Sequence, residues 1–146
     1  MTKKQEVRFV VIQDLILAFV INTAATILNG GFTDTLTYLA GMFQAFSINY
    51  VAGAMIPVPK LGKAAADAAG FRAGTGLYKF VRIFVTNAIF VTIISFTIAL
   101  INCGPVKEIF SVWIQTYPIL HVVGLVTSFF TEDFCIDLAG ILTEEK

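Results

Sequence analysis

Apolar residues run almost unbroken through four stretches of the chain, 8–28, 36–57, 78–101 and 109–130. Each is close to the roughly 20 residues that a helix needs to cross a hydrocarbon core of about 30 Å, so the pattern predicts four transmembrane helices. Two tight turns and one longer polar stretch separate them. The turns read "NGGFTDT" (29–35) and "NCGPVKE" (102–108); Gly30, Gly31 and Gly104 suit the left-handed conformations that end helices, and Pro105 suits the first position of the next one. The longer stretch, 58–78, is rich in Ala and Gly and has Pro57 and Pro59 at its start. The expected organisation is a first transmembrane hairpin over 1–57, a cytoplasmic linker over 58–78 with one short helix near 62–69, a second hairpin over 79–130 and a tail over 131–146. In the tail, Phe134, Leu138, Ile141 and Leu142 recur at helical spacing with Asp133 and Asp137 on another face, which predicts a short amphipathic C-terminal helix. Anionic headgroups would repel its acids, so the tail is expected to dock on the basic linker.

Composition agrees with a membrane chain: 57% of the 146 residues are hydrophobic and 14% charged, with a mean hydropathy of +0.82. The first apolar stretch is longer than a signal-peptide core and carries Asp14, which predicts a retained helix. Nine of the ten basic residues fall on one side of the expected topology: Lys3, Lys4, Arg8, Lys60, Lys63, Arg72, Lys79, Arg82 and Lys146, against Lys107 alone. The positive-inside rule then places both termini and the linker in the cytoplasm.

The two halves resemble each other. "VRFVVIQ" (7–13) answers "VRIFVTN" (81–87), "ILNGG" (27–31) answers "LINCG" (100–104), and "FQAFSINYVAG" (43–53) answers "IQTYPILHVVG" (114–124), matching Gln44 to Gln115 and Gly53 to Gly124. Units with an even number of spans insert in the same orientation, so this would be a parallel repeat about an axis along the membrane normal. The first half, "TILNGGFTDTLTYLAGMFQAFSINYVAGAMIPV", resembles the bacterial inner-membrane domain of unknown function catalogued as family number 2798, and "WIQTYPILHVVGLVTSFF" resembles it more weakly. That resemblance implies a two-helix hairpin, here as a degenerate tandem duplicate, and a place in the inner (plasma) membrane. It implies no activity.

Polar side chains inside apolar helices are the candidate chemistry. Asp14, Ala18, Asn22, Thr26 and Gly30 recur every four residues and form one drifting stripe, and Asn87, Ser95, Ala99 and Cys103 form a comparable one interrupted by Val91. Such stripes point at protein, either as packing glue between the first and third helices or as the lining of a polar cavity. Asp14 lies near the cytoplasmic interface, where Arg8 or Arg82 could pair with it. His121, the single histidine, would sit mid-helix with Gln115 and Pro118 roughly on one side, as a packing residue or a proton carrier. The candidate buried polar or ion-pairing set is therefore Asp14, Asn22, Asn87, Gln44, Gln115, His121, Arg8 and Arg82.

Enzymatic chemistry has no support. The sequence lacks CxxC spacing, a metal-binding cluster and a nucleophile elbow, and "GFRAGTG" (70–76) follows no strand and lacks the ending of a phosphate loop. Cys103 and Cys135 are expected on opposite faces of the membrane, which prevents their pairing. No cofactor, metal or nucleic acid is expected; the partners are the lipid bilayer and either a second copy or another membrane protein. The chain reads as a non-enzymatic structural or interaction component, with a small transporter or an ion or proton permeation subunit as the alternative.

Overall fold

The computed structural model describes residues 2–104 and 107–144, so Pro105 and the end of the chain at Glu145 and Lys146 lie outside the described residues. The described chain is all helical: α1 (Lys3–Leu28), α2 (Thr35–Met55), α3 (Val58–Ala68), α4 (Gly76–Cys103) and α5 (Ile109–Glu144). Three of these, α1, α4 and α5, are long and apolar enough to cross a membrane, and α2 with α3 counts as a fourth if the pair is one span bent by 65°.

Short polar side chains set the helix starts. Thr2 and Gln5 form a reciprocal capping box at α1. Asp34 caps α2, accepting from the Thr37 amide at 2.8 Å and the Thr37 hydroxyl at 2.6 Å. Those two bonds, the hydroxyl foremost, hold the Asp34 carboxyl below the usual carboxylate range. The α1–α2 turn needs Gly30 and Gly31, whose φ angles are +104° and +98°. Pro57 and Pro59 account for the break between α2 and α3: a ring nitrogen cannot donate, and the residue before a proline is pushed towards extended backbone, as Ile56 is at φ −115° and ψ 126°.

The helices form two antiparallel pairs. Asp14 meets Asn49 and Asn22 meets Tyr38 across α1–α2, while Arg82 meets Glu132, Asn87 meets His121 and Ser95 meets Trp113 across α4–α5. The expected contact between the first and third long helices is made by side chains, Leu17 and Ile21 against Val91, whereas α1 packs most extensively on α5, then on α2. The stretch expected as a linker carries α3, which packs closely on α4. Val58, Gly62 and Ala66 are its buried face, and a Cβ at Gly62 would stand 2.6 Å from the Arg82 carbonyl oxygen. Only a residue without a side chain permits that approach.

The tail departs from expectation. No proline follows Pro118, so α5 continues as a single helix of 36 residues instead of ending in a separate amphipathic one. Its buried face is the small-residue side, with Cys135 and Ala139 fully buried, whereas Phe134, Ile141 and Leu142 are exposed. Close contact with α1 favours small side chains over a bulky apolar stripe. Lys79 and Arg82 meet the acids Glu132 and Asp133, but Lys60, Lys63 and Arg72 are exposed and make no ion pair among the described residues.

Candidate functional site

Asp14 lies on the α1 face that also buries Leu17, Ala18, Ile21 and Asn22. It is only 4% exposed. Its Oδ1 accepts from Asn49 Nδ2 at 2.5 Å, and its Oδ2 has no hydrogen-bond partner. Asn49, fully buried among the small residues Ala45 and Ala52 of α2, is the partner that sequence reasoning missed. The signal was present as a four-residue spacing of Ala45 and Asn49 continuing to Gly53.

Neither expected arginine pairs with Asp14. Arg8 precedes it by six residues, which at 100° per residue sets it about 120° around the helix and about 9 Å along it. The Arg8 guanidinium instead donates to the Leu142 carbonyl and to the Thr143 hydroxyl at the end of α5. Arg82 donates through one nitrogen to both Glu132 oxygens, at 2.6 and 2.8 Å. Glu132 falls in the expected tail, yet it follows Leu120, Gly124 and Ser128 at four-residue spacing on the buried face of α5.

Asp14, Arg82 and Glu132 border a chamber of about 80 Å³. Its polar lining is Gln13 and Asp14 of α1, Arg82, Thr86 and Asn87 of α4, and Ser128 and Glu132 of α5; the rest of the wall is mainly apolar, with Phe9, Leu17, Ile83 and Phe90. A volume of this size accommodates several waters or a small ion. Besides Asp14 Oδ2, two further oxygens of lining residues, Thr86 Oγ1 and Asn87 Oδ1, lack a partner. Glu132 and Arg82 neutralise each other, which leaves ionised Asp14 as the uncompensated charge. With Asp14 ionised, the chamber is short of one positive charge.

Asn87 and Asn22 also serve as clasps. Asn87 Nδ2 donates to the His121 carbonyl at 2.9 Å and lies 3.2 Å from His121 Nδ1; Asn22 Nδ2 donates to the Tyr38 carbonyl at 3.0 Å. In each case the residue three positions after the carbonyl is a glycine, Gly124 or Gly41, and a Cβ there would come within 2.5 Å of the asparagine Oδ1. The glycines let the helices approach until the amide reaches a main-chain carbonyl. The sequence repeat pairs Gly124 with Gly53, which instead faces Phe90; the clasps share chemistry but not that register.

The remaining candidates disperse. His121 stacks on Tyr117 at 5.7 Å and meets Phe84 edge-on at 4.9 Å, behind Asn87 and outside the chamber lining. Gln115 and Pro118 are exposed. Asn22 and Gln44 line a second, more open cleft of about 460 Å³ nearer the α1–α2 turn, with Thr26, Ser95, Trp113 and Thr116. Among the described residues no three His, Cys, Asp or Glu side chains gather as metal ligands. Compared with protein-family models, curated proteins and solved structures, the chain shows no significant match to any.

Proposed function

We propose that the protein is a non-enzymatic, multi-pass inner-membrane protein that passes a singly charged cation, in the simplest case a proton, by way of Asp14. In this reading α2 is the fourth span and α3, bent away from it by 65°, lies with Lys60 and Lys63 at its cytoplasmic end, both termini are cytoplasmic, and the chain is a doubled hairpin of the kind resembling family number 2798. The one-sided distribution of nine basic residues supports the orientation, and the two successive antiparallel pairs, α1 with α2 and α4 with α5, support the doubling.

The observation that carries the proposal is the unpartnered Oδ2 of a buried aspartate lining a chamber whose one arginine is already engaged. An ionisable group kept inside a membrane segment costs roughly 2.5 to 3.5 kcal/mol even on the lenient insertion scale. Packing alone would be served by asparagine. A single uncompensated charge is balanced by one proton on Oδ2 or by one monovalent cation against it; release restores the carboxylate.

Purified protein in liposomes carrying a pH gradient, with internal pH read by a trapped dye, tests this. Proton flux above that of empty liposomes should be lost in Asp14→Asn and kept in Gln115→Ala, whose side chain is outside the chamber. Asp14-dependent uptake of sodium or potassium without proton flux would assign the alkali cation instead. No Asp14-dependent flux of either kind would return the protein to the second reading, a structural or interaction component, which the two clasps favour because they spend polar groups on helix packing.

A further inference from the structure

We infer that the cleft beside Asn22 and Gln44 is a second site on the same cation's route, taking it with its hydration water, and that an apolar layer of Leu17, Ile21, Val91 and Leu120 closes it off from the Asp14 chamber. The inference rests on the transport reading and adds the opposite half of the pathway together with its gate.

Three observations carry it. The first is adjacency. Leu17 bounds the chamber, Ile21 and Leu120 bound the cleft, and these three pack with Val91 as one buried cluster. Leu17 and Ile21 are four residues apart on α1, about 6 Å of rise, so the two volumes are separated by roughly one helical turn of aliphatic side chains. A layer of that kind blocks ions by excluding water, since a bare charge entering it forfeits hydration with nothing in return.

The second is chemistry. Amides and hydroxyls of Asn22, Thr26, Gln44 and Ser95 share the cleft wall with aliphatic side chains such as Ile94 and Ile98, and among the described residues no charged side chain contributes to it. Neutral dipoles replace part of a cation's hydration without holding it fast, while the chamber beyond the layer holds the one uncompensated carboxylate. The electrostatic order along the route is thus neutral vestibule, apolar barrier, single negative charge.

The third is mechanical. Leu17 and Ile21 belong to one clasped hairpin, Val91 and Leu120 to the other. The clasps Asn22 to Tyr38 and Asn87 to His121 tie each pair internally, so the layer lies at the seam between two units and not within either. Rocking one unit on the other parts the layer and leaves both clasps intact, the motion by which repeat-built transporters change access.

Thiol labelling in right-side-out membrane vesicles tests the gate separately from transport. In a background carrying Cys103→Ala and Cys135→Ala, Ser95→Cys reports the cleft and Thr86→Cys the chamber. A membrane-impermeant maleimide applied from the expected external side should label Ser95→Cys readily and Thr86→Cys slowly. Adding Val91→Thr, nearly the same shape with a hydroxyl, or Val91→Ser as a second variant, should raise the Thr86→Cys labelling rate by about tenfold, equivalent to roughly 1.4 kcal/mol off the barrier. Fast labelling of Thr86→Cys with the layer intact, an unreactive Ser95→Cys, or no acceleration by either Val91 variant in protein that still elutes as a folded species would overturn the gate. Labelling as expected without any Asp14-dependent flux would keep the two-cavity architecture and overturn the transport reading alone.

Discussion

Asp14 of α1 and Asn49 of α2 form a buried pair, carboxylate oxygen to amide nitrogen at 2.5 Å. A neutral partner holds the carboxylate without cancelling its charge. An arginine in the same place would have made Asp14 a structural anchor and nothing more.

Removing the Asn49 amide should therefore cost stability through Asp14. Asn49→Leu strands the second carboxylate oxygen, a loss of about 1 to 3 kcal/mol, and the same change in an Asp14→Leu background should cost much less. Asp14→Asn with Arg8→Gln should be additive within about 0.5 kcal/mol, because those residues share no partner. Thermal unfolding in detergent of the singles and doubles decides both; strong coupling between Asp14 and Arg8 would contradict the observed pairing.

The two clasps predict matched glycine effects. Gly41→Ala and Gly124→Ala each drive a methyl against an asparagine Oδ1 and should lower stability by about 1 to 3 kcal/mol through strain and a lost hydrogen bond. Truncating the asparagine should relieve much of that loss, so Gly124→Ala with Asn87→Ala should cost less than the sum of the single changes. Equal costs with and without the asparagine would mean that the glycines matter for another reason.

The acids at the end of α5 differ sharply in worth. The side chain of Glu132 is 5% exposed and that of Asp133 76% exposed. Glu132→Gln leaves Arg82 beside the chamber without its counter-charge and should destabilise by about 1 to 3 kcal/mol, less than a fully buried pair because the guanidinium keeps some solvent. Asp133→Asn should cost about 0 to 1 kcal/mol and vanish into salt screening. Comparable losses for the two would put Glu132 at the surface.

Asp34 gives an acid-side signature. Its folded-state carboxyl titrates below the ordinary range because Thr37 donates to it, so its contribution is fully present above the ordinary carboxylate pKa and is lost as pH falls through the lower folded value. Asp34→Asn, which still caps the helix, should remove this part of the pH dependence on the acid side of the ordinary carboxylate range while changing the neutral-pH melting temperature little. An unaltered acid limb in the variant would show that the cap does not form.

Much of the architecture was legible in local pattern. Long apolar runs and the glycines at 30 and 31 act over one or two helical turns, and their physics is contained in the residues themselves. The four-residue stripe from Asp14 to Asn22 told in the same way which face of α1 meets protein. Partner choice was decided by tertiary structure, because it depends on the rotation and register of one helix against another, which no single helix encodes. Register gave Asp14 an asparagine, gave Arg82 the glutamate from the tail, and turned the small face of α5 towards α1 in place of its apolar one. Glycines at 41, 62 and 124 set how closely the helices meet, and that spacing determined which polar atoms were satisfied and which were left facing a chamber.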